Sequence, residues 1–180
     1  MSRIVVSEFL SLDGVMEKPE NWVFDFINTE INQFKFDEVM AGHALLLGYA
    51  TYQVFANSWP SRSDPQGFAA KMNSMPKYIV TSSTKKLAWN NSQIVQGDLA
   101  PAVTRLKQLP GQDILVAGSG VLVQALMHAQ LIDEYRFLVY PIVLGKGKRL
   151  FNDGVTAGLR LTETKKFDTG VVLFRYAPAV

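Results

Sequence analysis

Along its first two thirds the chain alternates strand-like and helix-like patterns, and along its last third it carries strand patterns alone. Short β-rich runs at residues 3–10, 44–47, 77–81, 92–95 and 114–117 are separated by helical stripes or turn signals. Phe24, Ile27, Ile31 and Phe34 share one helix face, and a second helix starts within residues 51–55. Asp98 is placed to cap a third, with Leu99, Ala102, Val103, Leu106 and Leu109 as its stripe and Pro110-Gly111 as its stop. Val121, Leu122, Ala125, Leu126 and Ala129 trace a fourth. Strands joined through helices pair in parallel, because a parallel partner needs a long crossover. The later runs, 135–144, 159–167 and 171–176, have no helix between them and a turn at Asp168-Thr169-Gly170. The expected fold is α/β in three layers, α/β/α. Its central sheet is mixed, mostly parallel, and ends in an antiparallel C-terminal hairpin. With 180 residues and no linker-like or repeated segment, residues 1–180 read as a single domain.

The stretch Asp113–Gly120 carries the most chemistry. A buried strand runs into Gly118-Ser119-Gly120 and directly into a helix. Free N–H groups at such a junction, together with the helix dipole, favour an anion and most often a phosphate. The bland alternative is a tight turn whose glycines supply positive φ. Val123 stands where the dinucleotide fingerprint has its third small residue, so that motif is incomplete. Two further strand ends carry small or hydroxyl residues, namely Gly48 with Thr51, and Thr81-Ser82-Ser83-Thr84. Ligands of open α/β sheets sit at the carboxyl ends of strands. Three such ends together favour a nucleotide site over three unrelated turns.

Other classes are narrowed by composition. The chain has no cysteine, which removes disulfides, Cys-ligated zinc and thiol catalysis. His43 and His128 lack ligand spacing, so no metal is expected. A net charge of +2 gives no strong field for nucleic acid or a membrane surface. The one dense basic cluster, Lys146, Lys148 and Arg149, is either a solvated loop or a local phosphate contact. No apolar run approaches the roughly 18 residues of a membrane span. Residues 1–4 enter a strand pattern without a signal peptide, so the expected location is cytoplasmic.

Several longer motifs occur together and in order: Ser11-Leu12-Asp13-Gly14-Val15, residues 46–52 (LLGYATY), residues 76–83 (PKYIVTSS), Asp133-Glu134-Tyr135 and residues 141–151 (PIVLGKGKRLF). Together they resemble the C-terminal reductase domain of the bacterial riboflavin-biosynthesis deaminase-reductase. The chain is similar above all to stand-alone relatives of that domain within the dihydrofolate reductase-like superfamily. The resemblance implies a dihydrofolate reductase-like fold and NADPH as hydride donor, with NADH possible. It also implies a small-molecule acceptor of heterocyclic, pterin- or pyrimidine-like kind. By the same resemblance Gly118, Ser119, Gly120 and Val121 hold the pyrophosphate, and Gly48 and Thr51 flank a phosphate. Thr81, Ser82 and Ser83 approach the adenosine 2′-phosphate.

One position departs from the family pattern. Arg usually follows the strand-end glycine, and here the residue is Tyr49. A guanidinium clamps a phosphate through two hydrogen bonds and a phenol does not. Tyr49 can stack on adenine, permit NADH or weaken cofactor binding, and Lys85 or Lys86 can replace the charge. On the substrate side the resemblance offers Glu30 as an acid with Phe34 one turn later on the same helix face. The alternative is a solvated Glu30 and a core Phe34. Asp13 either binds substrate or shapes its turn with Gly14, and Trp22 either walls the pocket or packs. The apolar run at 135–144 suggests pairing across a homodimer. A nucleotide-binding protein without turnover is the second functional class these residues allow.

Overall fold

A computed structural model gives the structure of residues 1–82 and 86–179. Among the described residues eight strands form one sheet: β1 (Arg3–Ser11), β2 (Gly42–Gly48), β3 (Lys77–Val80), β4 (Ser92–Ile94), β5 (Asp113–Ala117), β6 (Glu134–Tyr140), β7 (Leu159–Lys166) and β8 (Val172–Pro178). Their spatial order is β4-β3-β2-β5-β1-β6-β8-β7. The first six run parallel, β8 is antiparallel to β6, and β7 is antiparallel to β8. This is the mostly parallel sheet with a C-terminal antiparallel hairpin that the alternating pattern predicts.

The helices are α1 (Thr29–Ala41), α2 (Tyr49–Ser58), α3 (Phe68–Ser74), α4 (Leu99–Gln108) and α5 (Gly120–His128). Both sheet faces are covered, which is why β1 and β2 read as near-continuous apolar runs. Ile4 and Val6 of β1 pack with Val103 of α4 and Leu122 and Leu126 of α5. Val5, between them, faces Val39 of α1, Tyr52 of α2 and Met72 of α3. The connections β1→β2 and β2→β3 move toward the β4 edge, whereas β4→β5 and β5→β6 move back. Right-handed crossovers therefore place α1–α3 on one face and α4–α5 on the other. The chain leaves the adjacent strands β1 and β5 in opposite directions, and a crevice opens at their carboxyl ends.

Three expectations are adjusted, and one helix is added. Phe24 and Ile27 are not in α1: Phe24–Phe26 is a 3-10 turn, and Asn28 starts the helix by accepting the Ile31 N–H at 2.9 Å. Asp98 sits at the N-cap of α4 but makes no side-chain capping bond. α3 lacks a sequence signal that stands out, and its first amides, Phe68 and Ala69, donate to the Asp64 carboxylate at 2.9 and 2.7 Å. Strand β6 stops at Tyr140, before Pro141, and both its edges are filled by β1 and β8. It has no free edge for pairing across a dimer. The free edges are three-residue β4 and β7, whose Arg160, Glu163, Lys165 and Lys166 are exposed charges of the kind that discourage edge pairing.

Candidate functional site

The β5–α5 junction is a turn held by hydrogen bonds from the neighbouring strand end. Gly118 and Ser119 both have φ of +59°, so the backbone passes through two successive left-handed residues before α5 begins. Such a conformation suits glycine, whereas serine needs outside support. The neighbouring strand end supplies it: Gly48 N–H donates to Ser119 Oγ at 2.9 Å, and Ser119 N–H donates to Thr51 Oγ1 at 2.9 Å. A Cβ on Gly118 would sit 3.1 Å from Thr51 Oγ1, and one on Gly120 would sit 2.7 Å from Met16 Sδ. The turn is thus enclosed by α2 on one side and by the loop after β1 on the other.

This geometry refines the expected phosphate seat. The Ser119 amide is already spent on Thr51. The donors left for an anion are the first amides of α5, at Gly120 and Val121, which have no acceptor within the helix. Val121 is 85% exposed, so this end of α5 opens to solvent. The Thr51 hydroxyl accepts from Ser119 and does not spend its own proton in that bond. Tyr49, the first residue of α2, stacks on Tyr52 at 5.9 Å and 26° and packs with the core beside α2. Thr81 and exposed Ser82 follow β3, two strands from β5 and so about 10 Å away at normal strand spacing. Ser83 and Lys85 lie outside the described residues. The strand ends carrying Gly48, Thr81 and Gly118 are therefore side by side, as a dinucleotide laid across them requires.

A residue the sequence reading passed over lies beneath the turn. Glu8 of β1 is 4% exposed, and its Oε2 accepts the Gly118 N–H at 3.0 Å. Its Oε1 is buried with no hydrogen-bond partner among the described residues. Burial pushes the Glu8 carboxyl well above the ordinary carboxylate range, against the Gly118 bond and the charge of Lys35. The signal was available: a carboxylate in the middle of a mostly apolar interior strand.

On the opposite face, ions are fully paired. Arg136 of β6 donates to Glu38 of α1 at 3.2 Å, to Asp113 of β5 at 3.1 Å and to Glu134 at 2.6 Å. Glu38 also accepts from Ser7 and Lys35. Burial alone would raise the Glu38 carboxyl, but Lys35 and Arg136 outweigh it and hold it below its ordinary value.

The expected substrate-side residues do not meet at the crevice. Asp13 is a staple: its carboxylate accepts from Ser11 Oγ at 2.7 Å, Leu144 N–H at 3.1 Å and Gly145 N–H at 2.8 Å. These bonds, that from Ser11 foremost, hold it at a pKa of about 2. An acid that strong is ionised at neutral pH and has no proton to donate, and its three bonds are those of the turn-shaping alternative. Glu30 is half-exposed and pairs with Lys165 of edge strand β7 at 3.1 Å. Phe34, on the same face, meets Phe167 at 6.4 Å and lies under Arg175 of β8. Both contact the C-terminal hairpin. Trp22 is buried, stacks edge-on to Tyr140 at 5.4 Å and donates to the Glu17 carbonyl, so it is packed in the core.

Comparison with known proteins agrees with this architecture. The family model described as the RibD C-terminal domain matches residues 2–173. An uncharacterized protein of Bacillus subtilis, YyaP, is 26% identical over 178 residues, covering 97% of this chain and 94% of its own. A putative riboflavin biosynthesis protein from Shewanella sp. PV-4 shares the fold with a TM-score of 0.80 at 19% identity, covering 99% of both chains. Dihydrofolate reductase from Enterococcus faecalis, in complex with NADP(H) and RAB-propyl, superposes with a TM-score of 0.63 at 15% identity. That match covers 99% of this chain and 97% of the reductase. The fold is dihydrofolate reductase-like.

Proposed function

Because the chain belongs to the RibD C-terminal domain family, we propose that it is an NAD(P)H-dependent reductase acting on a small heterocyclic acceptor, pterin- or pyrimidine-like. The observation that carries this reading is the locked turn of Gly118, Ser119, Gly48 and Thr51 at the β1/β5 crevice. A nicotinamide dinucleotide supplies the hydride. The first amides of α5 bind its pyrophosphate, with the Thr51 hydroxyl beside them. Gly118 and Gly120 allow the close backbone approach, and Thr81 and Ser82 extend the site toward the adenosine end. The protein's contribution is to bind and orient the two reactants and to exclude water between them.

Titration of NADPH and NADH against the intrinsic tryptophan fluorescence tests the reading, and no binding by either overturns it. Tyr49→Arg restores a guanidinium at the start of α2. It should tighten NADPH relative to NADH by about tenfold, one charge-assisted hydrogen bond's worth. Equal effects on the two cofactors would remove Tyr49 from the 2′-phosphate. A second reading, nucleotide binding without turnover, is favoured by one observation: Asp13 and Glu30 are both committed to other partners. Cofactor binding without oxidation across a pterin, flavin-precursor and quinone panel would select it.

A further inference from the structure

The carboxyl of Glu8 lies inside the sheet, one hydrogen bond from the residue that opens the phosphate turn. An ionised carboxylate offers about four acceptor sites, yet Glu8 receives one N–H and its Oε1 receives none among the described residues. Nor, among the described residues, is a cation left for it. Across the sheet, Glu38, Asp113 and Glu134 are matched by Lys35, Arg136 and Arg3, each already engaged in ion pairs. The charged groups that Glu8 feels are Lys35 and Glu38 of α1, which oppose each other. From β6 its register neighbour is Phe137, and from the α5 side the polar contact is the Gly118 amide. These paired charges are matched without Glu8, so the balance holds only while Glu8 carries its proton.

We propose that Glu8 is a proton-gated positioning residue of the phosphate turn. As the uncharged acid it anchors Gly118 and leaves the α5 N-terminus receptive to an anion. When it loses its proton to solvent, a negative charge lies directly under the turn and repels the same anion. The inference rests on reading the crevice as a dinucleotide site. It adds that the site binds its dinucleotide best below the pKa of a group that does not touch the ligand.

The test is the NADPH dissociation constant from mildly acidic to alkaline pH, for the wild type and for Glu8→Gln. The amide is a neutral mimic: its oxygen accepts from Gly118 and it cannot ionise. Wild-type affinity should fall by about tenfold or more across the range, the scale of a like charge brought to within several ångströms. Glu8→Gln should hold its acidic-side affinity into alkaline pH. Titration of the cofactor's own 2′-phosphate is common to both proteins and cancels in the comparison. A flat wild-type profile, or an equal loss in the variant, overturns the proposal. Infrared spectroscopy of the unliganded wild type gives an independent readout. A buried protonated-carboxyl band that vanishes in Glu8→Gln supports the gate, and its absence at neutral pH overturns it even if the variant folds poorly. If that band is present but neither NADPH nor NADH binds at any pH, the dinucleotide reading fails and the gate falls with it.

Discussion

Two regions separated by one peptide bond handle buried carboxylates in opposite ways. Ser7 and Glu8 are consecutive on β1, so their side chains look into opposite halves of the molecule. On the Ser7 side, beneath α1, Glu38 is nearly inaccessible yet stays ionised, because Lys35 and Arg136 are within bonding distance. On the other side, beneath the α5 turn, Glu8 is equally buried and has one amide for company. The difference teaches that burial does not by itself decide a carboxyl's charge. The supply of cations and donors decides it, and here that supply is exhausted on one face of the sheet.

The strongest way to break this contrast is to remove the cation at its centre. Arg136→Met leaves Glu38 and Asp113 buried without their shared guanidinium and should cost about 3–5 kcal/mol, read from urea unfolding. A loss of under about 1 kcal/mol would mean that the network is solvated. The contrast is sharpened next by pH. Glu38 is held below its ordinary value of 4.5. Its contribution to stability is present above that value and lost as pH falls through the folded-state pKa. Glu8 is raised above 4.5. Its contribution is full below that value and is lost as pH rises toward the folded-state pKa. Glu38→Gln should therefore be less stable than wild type at neutral pH, with the gap closing in acid. Glu8→Gln should instead gain on wild type as pH rises. Each difference should be on the order of 1–3 kcal/mol in denaturation curves taken across pH. Parallel trends in the two variants would dissolve the contrast. The smallest expected effect lies in the turn itself. Gly118→Ala puts a Cβ on a left-handed residue against Thr51 and should cost about 1–2 kcal/mol. It should also weaken NADPH binding in the fluorescence titration, and unchanged binding would place the anion elsewhere.

Much of the fold was legible because periodicity and punctuation are local. The stripe of α4, the turn at Gly170 and the glycine junction after β5 each announce themselves within a few residues. The helix expected from Phe24 was not a helix before Asn28, because an Asn-capped start overrode a matching apolar spacing. The run from Tyr135 looked like one long strand, but Pro141 has no N–H to continue the ladder. On the cofactor side, the three strand ends with small and hydroxyl residues were visible in the sequence, and the sheet order sets them next to one another. On the substrate side, residue type misled. Asp13 and Glu30 have the chemistry of acids, but their partners, the Leu144–Gly145 amides and Lys165, come from more than a hundred residues away.

The sequence alone determined most of the strands and helices, and that glycines follow β5, since these depend on short-range sterics and hydrophobic spacing. Tertiary structure decided which groups keep their charge. Whether Glu8 meets an amide or a cation depends on which strand lies beside β1 and which face its side chain takes. Only the β2-β5-β1-β6 order sends Arg136 to Glu38 and Asp113 and leaves Glu8 facing Gly118.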